Sequence, residues 1–395
     1  VAAAQDVLAE DILAQPEAYR SLAGDGPGPG PGPGPGDWDR SLAVLGDLGR
    51  FRRLVLTGMG SSYFASVAAA GALCARGVPA VAELASTLLH YGRGRLGPGD
   101  LVVVTSQSGE SAEAVKLASA LRLGRQPHPG PGDPFPVVAV TCHVSSPLAR
   151  AAAAVLAVEV APDHGVAVKT FGATLLALLY LGARVGAARG EARGAGPEAA
   201  ERLDAAAWAE RARRAADAVA LANAQGESWR ALGRRLRGHP AAVVTSRGPS
   251  LGAAMAGALL FNEVAKVPAW AEEGGEFRHG VIEVAEPGFL AAVIVPPGPG
   301  AALEGALAAD LASLGTRVLV VSQVSFRSET EAAQAAGADI LWVPDLDEPL
   351  APLVQIVPFQ WLSLGWAEAA GLEPGRFRNM SGVVRSEAGA GAKAG

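Results

Sequence analysis

Two stretches of this 395-residue chain spell out the same order of segments, and that internal repeat limits the fold more than any single motif. Leu54-Val55-Leu56-Thr57-Gly58-Met59-Gly60-Ser61-Ser62 leads into an alanine-rich segment through Leu73. Ala242-Val243-Val244-Thr245-Ser246-Arg247-Gly248-Pro249-Ser250 leads into another through Leu260. Val78-Pro79-Ala80-Val81-Ala82-Glu83 is matched by Val267-Pro268-Ala269-Trp270-Ala271-Glu272. Three further apolar runs follow in each half, at 101–105, 137–141 and 153–158, then at 289–295, 318–322 and 340–343. Short valine-rich runs without alternation are the signature of strands buried on both faces of a parallel sheet. The segments between them, such as 112–123 and 301–314, carry a helical pattern. The fold class expected is therefore α/β, with two tandem doubly wound parallel-sheet domains.

The repeat also sets the expected organisation. Residues 1–40 read as an N-terminal helix and Gly/Pro linker, 41–190 as a first domain, 191–237 as linker helices, 238–366 as a second domain and 367–395 as a C-terminal tail. Residues 26–36 and 128–136 are Gly-Pro tracts with nothing to bury and read as surface insertions or linkers, and a third weak region, 190–196, separates the two similar halves.

The apolar run Leu101-Val102-Val103-Val104 opens into Thr105-Ser106-Gln107-Ser108-Gly109-Glu110-Ser111 and then a helical segment. A strand running through small hydroxylated residues into a helix gathers backbone N–H groups, hydroxyls and a positive dipole end at one point. Such a point holds a phosphate without lysine or arginine. In doubly wound sheets ligands sit at the carboxyl ends of the strands, so the Ser61-Ser62 turn and the Ser106–Ser111 loop are expected at one mouth. A serine-capped helix start is the ordinary alternative for either loop alone.

Other classes are excluded by the totals. A net charge of −6 and the lack of a basic run give no electrostatic reason to expect nucleic acid. Asp6, Glu10 and Asp11 occupy the region where a signal peptide would be basic and apolar, and the apolar segment 171–183 stops at Arg184, which reads as a core helix. A cytoplasmic protein without a membrane partner is expected. Cys74 and Cys142 have no second cysteine or histidine at metal-ligand spacing and read as buried free thiols. Neither a metal nor a cofactor is expected.

Several further motifs complete the picture: Gly60-Ser61-Ser62, the Ser106-Gln107-Ser108-Gly109-Glu110-Ser111 loop, Gly165-Val166-Ala167 before Lys169, Glu276-Phe277-Arg278-His279-Gly280, and Arg378-Asn379-Met380. Together they resemble the sugar isomerase (SIS) family, from about Leu54 to Glu387, and within it the isomerase half of the glucosamine-6-phosphate synthases. The resemblance implies that Ser61, Ser62, Ser106, Gln107, Ser108 and Ser111 hold a sugar phosphate. It implies that Glu263 moves a proton between C1 and C2 of the open-chain sugar and that His279, 16 residues later, opens the ring. One carboxylate can serve both carbons through a cis-enediol, and imidazole suits the two proton transfers of ring opening. Gly60, Val166 and Lys169 take supporting places, and Glu276 is expected to orient the histidine loop or cap a helix. A homodimer with shared active sites is also implied.

The chain departs from the synthase pattern in several places. Gly382 stands where the synthases carry a substrate-capturing lysine, and Leu260 where a second lysine lies one turn before the base. Val281 replaces the proline that usually follows His-Gly, and the segment from Val166 to Lys169 is one residue shorter. No N-terminal cysteine begins the chain and about fifty residues precede the first strand, so glutamine-dependent amination by this polypeptide alone is not expected. The expected activity is isomerisation of a hexose or hexosamine 6-phosphate, with deamination where the sugar carries a 2-amino group. The alternatives are a fructosamine-phosphate deglycase and a non-catalytic phosphosugar sensor.

Overall fold

The computed structural model describes residues 6–24, 34–92, 94–124, 135–192, 205–380 and 382–387. The chain divides into two compact units. One comprises residues 17–162, 169–214 and 377–395; the other comprises 1–16, 163–168 and 215–376.

The sheet of the first unit is built from β1 (Arg53–Gly58), β2 (Ala80–Leu84), β3 (Asp100–Thr105), β4 (Val137–Thr141) and β5 (Ala154–Ala157), in the order β2-β1-β3-β4-β5. Every pairing is parallel, with Leu54 opposite Ala80 on one side and Leu101 on the other. All six residues of β3 are buried, which explains why its sequence lacks alternation. Val55, Val102, Val104, Val137 and Ala139 pack on one face with Ala85, Leu88 and Leu89 of the helix Ala85–Tyr91 and with Leu117 and Leu121 of the helix Ala112–Arg122. Each such valine or leucine contributes about 1.5–3 kcal/mol by leaving water.

The helix Ser61–Ala75 packs on the helix Lys169–Ala192. Their approach is close enough that a Cβ on Gly182 would come within 2.1 Å of Leu73 Cδ2, so the site admits only glycine without movement. The long helix runs beyond Arg184, and its stretch Lys169–Gly190 has the length and apolarity to cross a membrane. Most of that stretch is buried inside the unit, with Leu175, Leu176, Leu178, Tyr180 and Leu181 fully enclosed, and it serves as a core helix.

The second unit repeats the plan. β6 (Ala242–Ser246), β7 (Ala269–Glu273), β8 (Leu290–Ile294), β9 (Arg317–Gln323) and β10 (Asp339–Val343) run in the order β7-β6-β8-β9-β10, again all parallel. The helices Gly226–Arg235 and Val357–Ala369 touch backbone to backbone: Cβ atoms on Gly233 and Gly365 would lie 2.1 Å from Leu362 O and 1.9 Å from Arg230 O. The helix Val7–Ser21 contributes its first part to this unit, burying Leu8 and Ile12. The Gln15 and Gln360 amides there exchange hydrogen bonds of 2.8 and 3.1 Å.

The stretch read as linker helices is described from residue 205 as two helices, Ala205–Asn223 and Gly226–Arg235, and the unit boundary falls inside the first, after Arg214. The Gly-Pro tracts lie mostly outside the described residues. At the end of the first tract Pro35 is buried and opens the helix Pro35–Leu42, where Trp38 is fully enclosed. Neither cysteine is buried. Cys74 is exposed on the last turn of its helix and Cys142 is half-buried just past β4, because each falls where an element ends and its apolar face no longer continues.

Candidate functional site

In the first unit the strand order reverses between β1 and β3, where ligands bind in folds of this topology. The turn after β1 rests on two glycines. A Cβ on Gly58 would meet Ser62 Cβ at 2.9 Å and Thr105 O at 3.0 Å, so the serine turn and the end of β3 press against the same point. Gly60 adopts φ +52 before the helix Ser61–Ala75, a conformation that penalises any side chain. Ser61 and Ser62, half-buried, are its first two residues.

The loop after β3 is held by its own hydroxyls. Ser106 is buried; its N–H donates to Val140 O at 3.0 Å, and its Oγ lies 3.1 Å from Ser111 Oγ while accepting the Gly109 N–H at 3.2 Å. Ser108 Oγ accepts the Glu110 N–H at 3.2 Å. Gly109 has φ +65, and a Cβ there would lie 2.1 Å from Ser146 Oγ, so the tight path of the loop depends on this glycine. Gln107 is fixed through its carbonyl, which accepts from Thr141 Oγ1 at 3.2 Å and from the Cys142 N–H at 3.0 Å. The structure thus brings Ser61, Ser62, Ser106, Gln107, Ser108 and Ser111 to the carboxyl ends of two adjacent strands. The chain's tail packs on this loop: Ala112 N–H donates to Val384 O at 3.0 Å, and Arg385 binds the Glu110 carboxylate through Nε at 3.0 Å and a terminal nitrogen at 2.6 Å.

In the second unit Glu263 lies in a π-helical turn, Phe261–Ala265, that continues the helix Ser250–Leu260. Such turns carry one extra residue per hydrogen-bonded ring and recur at functional sites. Burial pushes the Glu263 carboxyl up to about 7, against the opposing pull of the Lys266 ammonium. A carboxyl poised there exchanges protons in both directions near neutral pH.

His279 follows the short helix Gly274–Arg278, exposed, its N–H bonded to Glu276 O at 2.9 Å. The cap of that helix is Glu273, whose carboxylate accepts from Gly275 N at 2.7 Å and Glu276 N at 2.9 Å. Glu276 is exposed in the first turn and does not cap, because the carboxylate preceding the helix reaches the free N–H groups first. Glu273 is held in turn by Arg247 at 3.1 Å, and Arg247 Nε donates to the fully buried Glu304 at 2.7 Å. Burial raises the Glu304 carboxyl, with Arg247 and Thr245 opposing. A Cβ on Gly274 would lie 1.9 Å from Glu304 Oε1, so the start of the histidine-bearing turn rests directly on that carboxylate.

Sequence reasoning missed Arg247, Glu273 and Glu304; the one signal was a lone glutamate inside the apolar segment Ala301–Ser313. Val166 is buried beside Gly165, where φ is +112 and a Cβ would meet Gly375 O at 2.5 Å; Lys169 is buried at the start of its helix and belongs to the other unit. Leu260 is buried, and Gly382 takes φ +86. Among the described residues no three His, Cys, Asp or Glu side chains gather as metal ligands.

Residues 48–184 match the SIS domain family. That segment is a SIS domain. It is 31% identical over 343 residues to glutamine–fructose-6-phosphate aminotransferase (isomerizing) of Pyrobaculum aerophilum, covering 85% of this chain and 52% of that protein. It is 28% identical over 354 residues to the enzyme of the same name from Methanothermobacter thermautotrophicus, covering 89% and 54%. The chain thus spans about half the length of the curated relatives it matches. Among solved structures, the C-terminal domain of glucosamine-fructose-6-phosphate aminotransferase from Francisella tularensis superposes with a TM-score of 0.79 at 19% identity, covering 94% of this chain and 98% of that one. That likeness shows a shared fold over both sheets.

Proposed function

We propose that this protein is a phosphosugar isomerase acting on a hexose or hexosamine 6-phosphate. The observation that carries the reading is Glu263, a carboxyl that burial in a π-helical turn brings to about 7. The relatives, whose names join isomerisation to fructose 6-phosphate, support the same substrate class.

In this reading the Ser61-Ser62 turn and the Ser106–Ser111 loop hold the phosphate through hydroxyls and helix N-terminal N–H groups. His279 takes the anomeric hydroxyl proton and returns a proton to the ring oxygen, so that the C1 carbonyl forms as the ring C–O bond breaks. The Glu263 carboxylate then removes the proton on C2; the C2 electron pair forms the enediol double bond and the carbonyl oxygen is protonated. Returning that proton to C1, as the C2 hydroxyl gives up its own proton to balance the one taken up by the C1 oxygen, leaves a carbonyl at C2, the ketose. Where C2 bears an amine, the same step yields a ketose imine, and water releases ammonia from it. Gly382 supplies no ammonium at the substrate-capturing lysine position, so a Schiff base to the ketose does not form in the usual way.

The test is turnover of glucosamine 6-phosphate, fructose 6-phosphate and a fructosamine phosphate, each beside its dephosphorylated sugar, following sugar interconversion, ammonia and amine release. Interconversion of a phosphorylated substrate, with none of its dephosphorylated counterpart, is expected. Turnover that ignores the phosphate, or no turnover of any substrate, contradicts the proposal.

A further inference from the structure

Lys266 is the one non-glycine residue among those described with a positive φ, +58. It closes the π-helical turn in the left-handed conformation, where glycine or asparagine is the usual occupant and a lysine is strained. Strain of this kind persists where the surroundings hold it, and it clusters at working sites. Its own side chain helps to hold Lys266 there. The ammonium folds back to donate to the carbonyl oxygen of Glu263 and reaches across to Arg376 O at 2.8 Å. The π-helical turn closes through the Val267 N–H on Phe261 O at 3.1 Å. The lysine therefore ties Glu263 to the chain segment ending at Arg376.

We infer that Lys266 is a positioning residue for Glu263, fixing the turn that carries the carboxyl and presenting an ammonium to it. The inference rests on the proposed role of Glu263. Among the described residues, the other charged groups on the two helices packed against that turn, on the segment ending at Arg376 and on β7 are few. The helix Ser250–Leu260 carries no ionisable side chain. On the helix Val357–Ala369 the only one is Glu368, which is bound by Arg230 and Arg234. Arg376 pairs with Glu373 at 2.7 Å. On β7 lie Glu272 and Glu273, the latter held by Arg247. The ammonium opposes the effect of burial on Glu263, so removing it raises the pH at which the carboxyl ionises.

The experiment is a carbon-13 NMR titration of side-chain carboxyls in the full chain, with the Glu263 signal identified by its loss in Glu263→Gln. Lys266→Met keeps an unbranched side chain in the strained position, Lys266→Gly relieves the strain, and Lys266→Arg keeps the charge. Solvent-deuterium exchange into fructose 6-phosphate is followed across the same pH range. The Glu263 midpoint is expected to rise by about one pH unit in both uncharged variants, with exchange at pH 6 falling about tenfold, and to return in Lys266→Arg. A midpoint unmoved in Lys266→Met and Lys266→Gly, with Glu263→Gln inactive, overturns the role of Lys266 alone. Full exchange in Glu263→Gln overturns the reading of Glu263 and, with it, this inference.

Discussion

Glu263 gains its proton affinity at a cost to the fold. Its carboxyl ionises near 4.5 when exposed and at about 7 in the folded protein, so the native state binds this proton more tightly than the unfolded chain. The sign follows: the contribution to stability is fully present below about 4.5 and is lost as pH rises through about 7. Glu263→Gln, which carries no charge to bury, is therefore expected to be more stable than the natural chain at pH 8 by about 3 kcal/mol, with the gap closing near pH 4. Urea unfolding at the two pH values measures it, and an equal gap at both would refute the burial argument. The identity of this residue was legible in the sequence only through the family motif, because a glutamate in an apolar helix looks the same whether it faces solvent or core. Lys266 was not legible at all, since a left-handed lysine leaves no mark on composition or periodicity.

At the scale of elements, the strands were legible within one or two residues, because strands buried on both faces are apolar throughout: 137–141 was read as one run, and β4 is Val137–Thr141. What periodicity does not carry is how an element ends. The π-helical turn Phe261–Ala265 continues an apolar run without a break in pattern, and three glutamates, Glu272, Glu273 and Glu276, compete on paper for one cap. Geometry selects Glu273. Replacing it by alanine is expected to cost about 1 kcal/mol and to speed amide exchange at Gly275 and Glu276, with Glu276→Ala close to neutral. Equal effects of the two substitutions would return the capping role to Glu276.

For the whole molecule, the repeat made two α/β units legible, and the serine loops made one end of the first sheet stand out. The assignment of segments to units was not legible. Residues 1–16 and 163–168 join the second unit, and 377–395 joins the first, through contacts distant in sequence. Leu8, Ile12 and the Gln15–Gln360 pair illustrate this, since no local pattern near residue 10 names a partner 345 residues away. The serine loops belong to one unit and Glu263 and His279 to the other. The most direct test is therefore solvent-deuterium incorporation at C2 of an aldose 6-phosphate, by proton NMR, in the natural chain and in Glu263→Gln. The account predicts exchange that is full above about pH 7, declines below it as Glu263 takes up its proton, and disappears in the variant. Exchange that survives the loss of Glu263, or that shows no fall toward acid pH, would contradict it.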